Sequence, residues 1–168
     1  MEGKRTTLPD NLNNNDEKNV LYEIYGVERK QEIDDAEKIH KEFNLLSECV
    51  FNHYLERGYD SLTDKEKSIR HIDIFLKDVN NGGFDQYFNN TECMQTSVAD
   101  LLDILRKFED DTYAPLVHIG LDIYNGQLDQ AEKSSKLDEL DKIFYKLDIF
   151  QYALLYKCCI EYYKECGS

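Results

Sequence analysis

A Glu-x-x-His pair, Glu37 and His40, is the first place where this chain could do chemistry. On a helix that spacing turns a carboxylate and an imidazole toward one face, as in carboxylate-bridged di-iron bundles. Such a centre needs a second Glu-x-x-His and further carboxylates, and the sequence has no second copy. The pair therefore reads as ordinary helix surface. His40, His53, His71 and His118 do not approach zinc-ligand spacing with one another or with a cysteine. Cys158 and Cys159 are adjacent, so on a helix they point about 100° apart, and Cys159 reads as a packing residue. No glycine-rich cradle for a nucleotide phosphate occurs. Doublets such as Asp34-Asp35 and Asp110-Asp111 recur too often to single out an acid–base couple. The sequence nominates no catalytic, cofactor-binding or metal-binding residue, and no cofactor is expected.

Charge says more. The chain carries 34 acidic and 20 basic residues, a formal charge of −14. Phosphate backbones and anionic membranes are repelled by such a surface, whereas a basic protein is attracted. From Asp100 to Asp148 there are twelve acids against six bases. One helical line runs through Asp138, Asp141 and Asp148. Another runs through Asp100 and Asp103 with Asp110 two turns on, and Asp111 beside it joins the candidate acidic surface. Carboxylates held in rows imitate a phosphate strand, whose charges recur about every 3.4 Å. The plain alternative is a solvated face, which the interspersed lysines favour.

The elements that would hold these carboxylates are helices. At 168 residues the chain fits one domain. Residues 1–19, crowded with asparagine, read as a mobile tail, and 20–168 as a single helical domain. A short helix is expected from about Asp16, with Val20, Leu21, Ile24 and Tyr25 inward. Apolar stripes at spacings of three and four then follow one another. The first is Ile33, Ala36, His40, Phe43, Leu46, Val50 and Tyr54. The next is Ile69, Ile72, Phe75, Leu76 and Val79, opened by a capping box at Thr63–Glu66. Met94, Val98, Leu101, Leu102, Leu105 and Phe108 form a third, and Leu116, Val117, Gly120, Leu121 and Tyr124 a fourth. After a polar connector, Gln127 to Ser135, come Leu137, Leu140, Phe144 and Leu147. The last stripe is Ile149, Tyr152, Ala153, Tyr156, Cys159, Ile160 and Tyr163. No segment alternates with period two, so the expectation is an all-α bundle of about six to eight helices with no sheet. No apolar run could span a membrane or serve as a secretory signal, and five cysteines without framework spacing read as reduced thiols. The cytoplasm is expected.

Asn80-Asn81-Gly82-Gly83-Phe84-Asp85-Gln86-Tyr87-Phe88-Asn89-Asn90 interrupts this pattern. The glycines stop a helix, and Phe84, Tyr87 and Phe88 then fall on one helical face toward the core. Gly82, Gly83, Phe84, Gln86, Tyr87 and Phe88 resemble the NGG-x-x-QYF signature of an all-helical domain-of-unknown-function family that includes an acidic DNA mimic. The resemblance spans about residues 62–165, strongest up to Asn90 and looser over Leu101–Tyr124 and Asp141–Tyr145. It implies an all-helical, acidic, dimeric domain that binds DNA-binding proteins in place of DNA; since the residues nominate no reaction centre, no enzyme activity is expected. Two other readings remain beside it. One is an immunity- or antitoxin-like inhibitor of a basic toxin. The other is an enzyme with a cleft near Asn80–Asn90, lined by Asn81, Asp85, Gln86 or Tyr87.

Overall fold

The computed structural model describes residues 30–91 and 97–164, with the main chain alone for 30–33 and 148–150. The expected tail, the short helix from Asp16 and Met94 lie outside the described residues. Two compact units divide the chain, Met1–Lys38 and Ile39–Ser168, and the second holds the fold described below. Among the described residues there are six α-helices and no strand. They are α1 (Lys30–Arg57), α2 (Asp64–Thr91), α3 (Val98–Lys107), α4 (Tyr113–Asn125), α5 (Gln130–Phe144) and α6 (Asp148–Tyr163). Short 3₁₀ turns at Tyr59–Ser61 and Tyr145–Leu147 join α1 to α2 and α5 to α6.

The long α2 is the axis of the bundle, and α3, α4, α5 and α6 all pack on it. Its start is fixed by the reciprocal cap expected at Thr63 and Glu66. The Thr63 amide donates to Glu66 Oε2 at 2.8 Å, and the Glu66 amide donates to Thr63 Oγ1 at 3.3 Å. Glu66 also meets His53 Nδ1 at 2.8 Å, which ties α1 to that start. Ile69, Ile72, Phe75, Leu76 and Val79 are buried, as their spacing requires.

Phe75 is the hub of the core. Around its ring stand Tyr87 at 5.2 Å, Phe144 at 5.8 Å, and Phe84 and Tyr113 each at 6.1 Å between centroids. These rings come from α2, α4 and α5, mostly in tilted or edge-on contacts that aromatic quadrupoles favour.

Three expectations are corrected here. The connector ends earlier than Ser135, because the Asp129 carboxylate accepts the Glu132 amide at 2.9 Å and starts α5 at Gln130. On α6 the inward face is Gln151, Leu154, Leu155, Cys158 and Cys159, while Tyr156, Ile160 and Tyr163 are exposed. Both sides of α6 are apolar, and the polar Gln151 at the head of the true stripe disguised it. Finally, the side of α1 away from its apolar stripe, where acids and lysines are expected, also carries apolar residues. Leu45, Phe51 and Leu55 stand exposed on it.

Candidate acidic surface and the break in α2

The two glycines break α2 without ending it. Gly82 has φ −152° and ψ 20°, Gly83 has φ 77° and ψ −176°, and the helix resumes with Phe84. Only glycine adopts the Gly83 conformation at little cost. Beyond the break Phe84, Tyr87 and Phe88 are interior, at 0%, 1% and 4% exposure. They fill the core instead of lining a cleft; of the residues named for a cleft, Tyr87 is buried, while Asn81 and Asp85 are exposed and Gln86 is half-buried.

A break in a helix leaves backbone groups without intrahelical partners. Two side chains one turn apart at the end of α5 serve both sides of it. Asp141 Oδ1 accepts the Phe84 amide at 2.9 Å, capping the resumed helix from 57 residues away. The Tyr145 hydroxyl donates to the Val79 carbonyl at 2.8 Å, on the near side. Between them Phe144 packs on Phe75 and Phe84. The two arms of α2 are also clasped through a carboxylate. Asp78 Oδ1 accepts from Gln86 Nε2 and Asn90 Nδ2, each at 3.3 Å. Gln86 thus reaches back across the glycines.

The chain belongs to the DMP19-like protein family. The family model for "DMP19-like protein" matches residues 60–163, which take in α2 to α6, the break and the Asp141–Tyr145 clasp. Comparison with curated proteins and with solved structures returned no match. Helix α1 precedes the matched region. No helix among the described residues is long and apolar enough to cross a membrane.

The carboxylates of the two expected rows separate into different groups. Helix α5 stops at Phe144, so Asp148 opens α6 and does not continue the line of Asp138 and Asp141. The side chain of Asp148 is outside the described residues. Asp141 is half-buried and capping, hence no free surface charge. Asp110 follows the end of α3, and its Oδ1 accepts the amides of Thr112, Tyr113 and Ala114 at 3.1, 2.5 and 3.4 Å. It is the N-terminal cap of α4, a role for which Thr112 is the nearer residue but makes no side-chain bond. Asp103 pairs with Arg106 at 2.6 Å, exposed on both sides. Asp100 lies in the first turn of α3, with its carboxylate 3.9 Å from His71 Nε2. Asp111 and Asp138 are exposed.

One carboxylate named only for a cleft belongs instead with the acidic groups. Asp85, in the first turn after the break, is exposed and raises the pKa of Asp141 together with Asp138. Asp85, Asp138 and Asp141 therefore gather at the break from two helices. The signal was present in the glycine motif itself, since an acid directly after a helix restart sits at the positive end of the helix dipole.

Burial first, then the negative charges of Asp138 and Asp85, push the Asp141 carboxyl above its ordinary value, while the Phe84 amide opposes the shift. A carboxyl raised on folding binds its proton more tightly in the native state. Its contribution to stability is thus lost as pH rises through the folded pKa and regained as pH falls toward the ordinary value of 3.8. Asp141→Asn keeps an oxygen acceptor for the Phe84 amide but has no proton to take up. Relative to Asp141→Asn, the wild-type chain should gain stability on mild acidification, measured by denaturant midpoints across that window. Asp141→Ala, which deletes the cap, should cost about 1–2 kcal/mol at neutral pH. A difference between wild type and Asp141→Asn that does not vary with pH would contradict the burial of this carboxyl.

Proposed function

We propose that this chain is an acidic protein-binding domain that occupies basic DNA-binding proteins by presenting carboxylates where they expect phosphates. Membership of the DMP19-like family carries the reading. The formal charge of −14 supports it, because it favours a basic protein over nucleic acid or an anionic membrane as partner. The exposed carboxylates Asp85, Asp100, Asp103, Asp111 and Asp138 are the binding candidates. Asp110 and Asp141 act through the fold, holding α4 and the second arm of α2 in place.

This division gives a test. Asp85→Lys with Asp138→Lys should weaken binding to a basic DNA-binding partner by at least about tenfold, roughly 1.4 kcal/mol. The thermal midpoint should stay nearly constant, since exposed carboxylates contribute little to folding. Isothermal titration calorimetry and thermal denaturation on the same variants measure both. Undiminished affinity would place the partner on another face. A complex indifferent to salt would point to an apolar interface, as expected of an immunity-like inhibitor.

A further inference from the structure

His71 lies on α2 with 2% of its surface exposed, and it reaches from the interior to a carboxylate of the acidic surface. Its Nε2 is 2.9 Å from the Tyr59 hydroxyl, in the turn between α1 and α2. The same nitrogen is 3.9 Å from Oδ2 of Asp100, in the first turn of α3. Its Nδ1 is buried without a hydrogen-bond partner among the described residues. The Asp100 side chain, by contrast, is 59% exposed. Asp100 thus stands between water and a ring that water barely reaches.

A buried imidazole stays neutral because its charged form loses hydration. Burial accordingly holds His71 below its ordinary value of 6.5, while Asp100 acts against that shift and Arg70 and Lys67 reinforce it. The charged groups that act on the ring are therefore two cations from its own helix and one anion from α3, with the Tyr59 hydroxyl facing it from the turn. Arg70 is stacked on the Tyr54 ring of α1 at 3.8 Å, and Lys67 lies over Tyr59 at 5.3 Å. Of these groups, Asp100 alone can neutralise a proton taken up by His71.

We propose that His71 and Asp100 form a pH-sensitive switch, in which protonation of the ring draws the Asp100 carboxylate inward and withdraws its charge from a basic partner. The proposal rests on the reading of Asp100 as part of the acidic binding surface. In the imidazolium both nitrogens donate, so Nε2 can share its hydrogen between the Tyr59 oxygen and the carboxylate. Rotation of the exposed Asp100 side chain closes the gap of 3.9 Å to a charge-assisted hydrogen bond of about 2.8 Å. The pair then carries no net charge, and the surface presents one carboxylate fewer. Linkage makes the effect reciprocal. A basic partner that engages Asp100 removes the anion that favours the imidazolium, and so makes the ring harder to protonate.

NMR of the His71 imidazole and calorimetry, on wild type and Asp100→Asn between about pH 7.5 and about pH 4.5, test the switch. Asp100→Asn changes an exposed side chain and leaves the start of α3 intact, because the cap there is Ser97. In the wild type His71 should titrate below 6.5. In Asp100→Asn it should titrate lower still, since the anion that stabilises the imidazolium is gone. Toward a basic DNA-binding protein, Asp100→Asn should bind about two- to fivefold more weakly than wild type at neutral pH. That ratio should shrink toward one as pH falls through the His71 titration. Ionisation of the partner and of other carboxylates, Asp141 among them, is common to both chains and cancels in the ratio. A His71 titration that Asp100→Asn leaves unchanged overturns the proposal, and so does an affinity ratio that stays constant while His71 titrates. If the partner binds neither chain, the reading of the acidic surface fails, and the two NMR titrations still decide whether ring and carboxylate are coupled.

Discussion

Phe84→Ala should lower the free energy of unfolding by about 3–5 kcal/mol, the range for truncating a fully buried aromatic ring. The ring is completely enclosed and lies 6.1 Å from Phe75, 6.0 Å from Phe88 and 5.9 Å from Phe144 between centroids. Its removal opens a cavity where both arms of α2 meet α5, and helices held together by rings have little freedom to collapse into it. Denaturant unfolding measures the loss. The slope of free energy on denaturant should be unchanged, because the same surface is exposed on unfolding. A loss below about 1 kcal/mol would mean that the ring does not sit in a packed interior.

Gly83→Ala should cost about 2–4 kcal/mol, and Gly82→Ala clearly less. At Gly83 the backbone is in a region that side chains rarely adopt, worth about 1–3 kcal/mol. A methyl group there would also lie 2.1 Å from Asp141 Oδ2, so the carboxylate must leave the Phe84 amide and its cap is lost, about 1 kcal/mol more. At Gly82, φ is negative and the added carbon would meet Gln86, 2.1 Å from its Oε1 and 3.0 Å from its Cβ, so the Gln86 side chain must swing away. The paired comparison separates backbone strain from crowding. Equal losses at the two positions would show that the break is not specified by the conformation of Gly83.

The helices were legible where one face is apolar and the other is not. The stripes of α2 and α3, and the Thr63–Glu66 cap, follow from spacing alone. On α6 leucines, cysteines, isoleucine and tyrosines surround the helix, and periodicity could not tell the side that packs from the side that faces water. The exposed apolar residues of α1 were hidden for a related reason. Leu45 and Leu55 lie ten positions apart among polar residues and the buried Leu46 and Val50, so they look scattered until the helix is turned. The glycine motif announced a helix stop and three inward rings; the rings are present, and the stop is a break after which the helix resumes.

The acidic surface was less legible, because a carboxylate's role depends on what the fold brings to it. Asp141 looked like a member of a row with Asp138, yet its partner is an amide 57 residues away. Asp110 looked the same as Asp111. The turn after α3 points Asp110 at three amides and leaves Asp111 in water. Asp85 and Asp138 are 53 positions apart and became neighbours only when Asp141 joined the two helices.

Competition with DNA tests the central claim most directly. A basic DNA-binding protein captured on this chain would be challenged with a short DNA duplex, and the bound fraction followed at several salt concentrations by fluorescence anisotropy. The account predicts that duplex displaces the protein from the chain, and that affinity for the chain falls steeply as salt rises. A partner that binds the chain and the duplex at once, with an affinity that salt does not change, would contradict it.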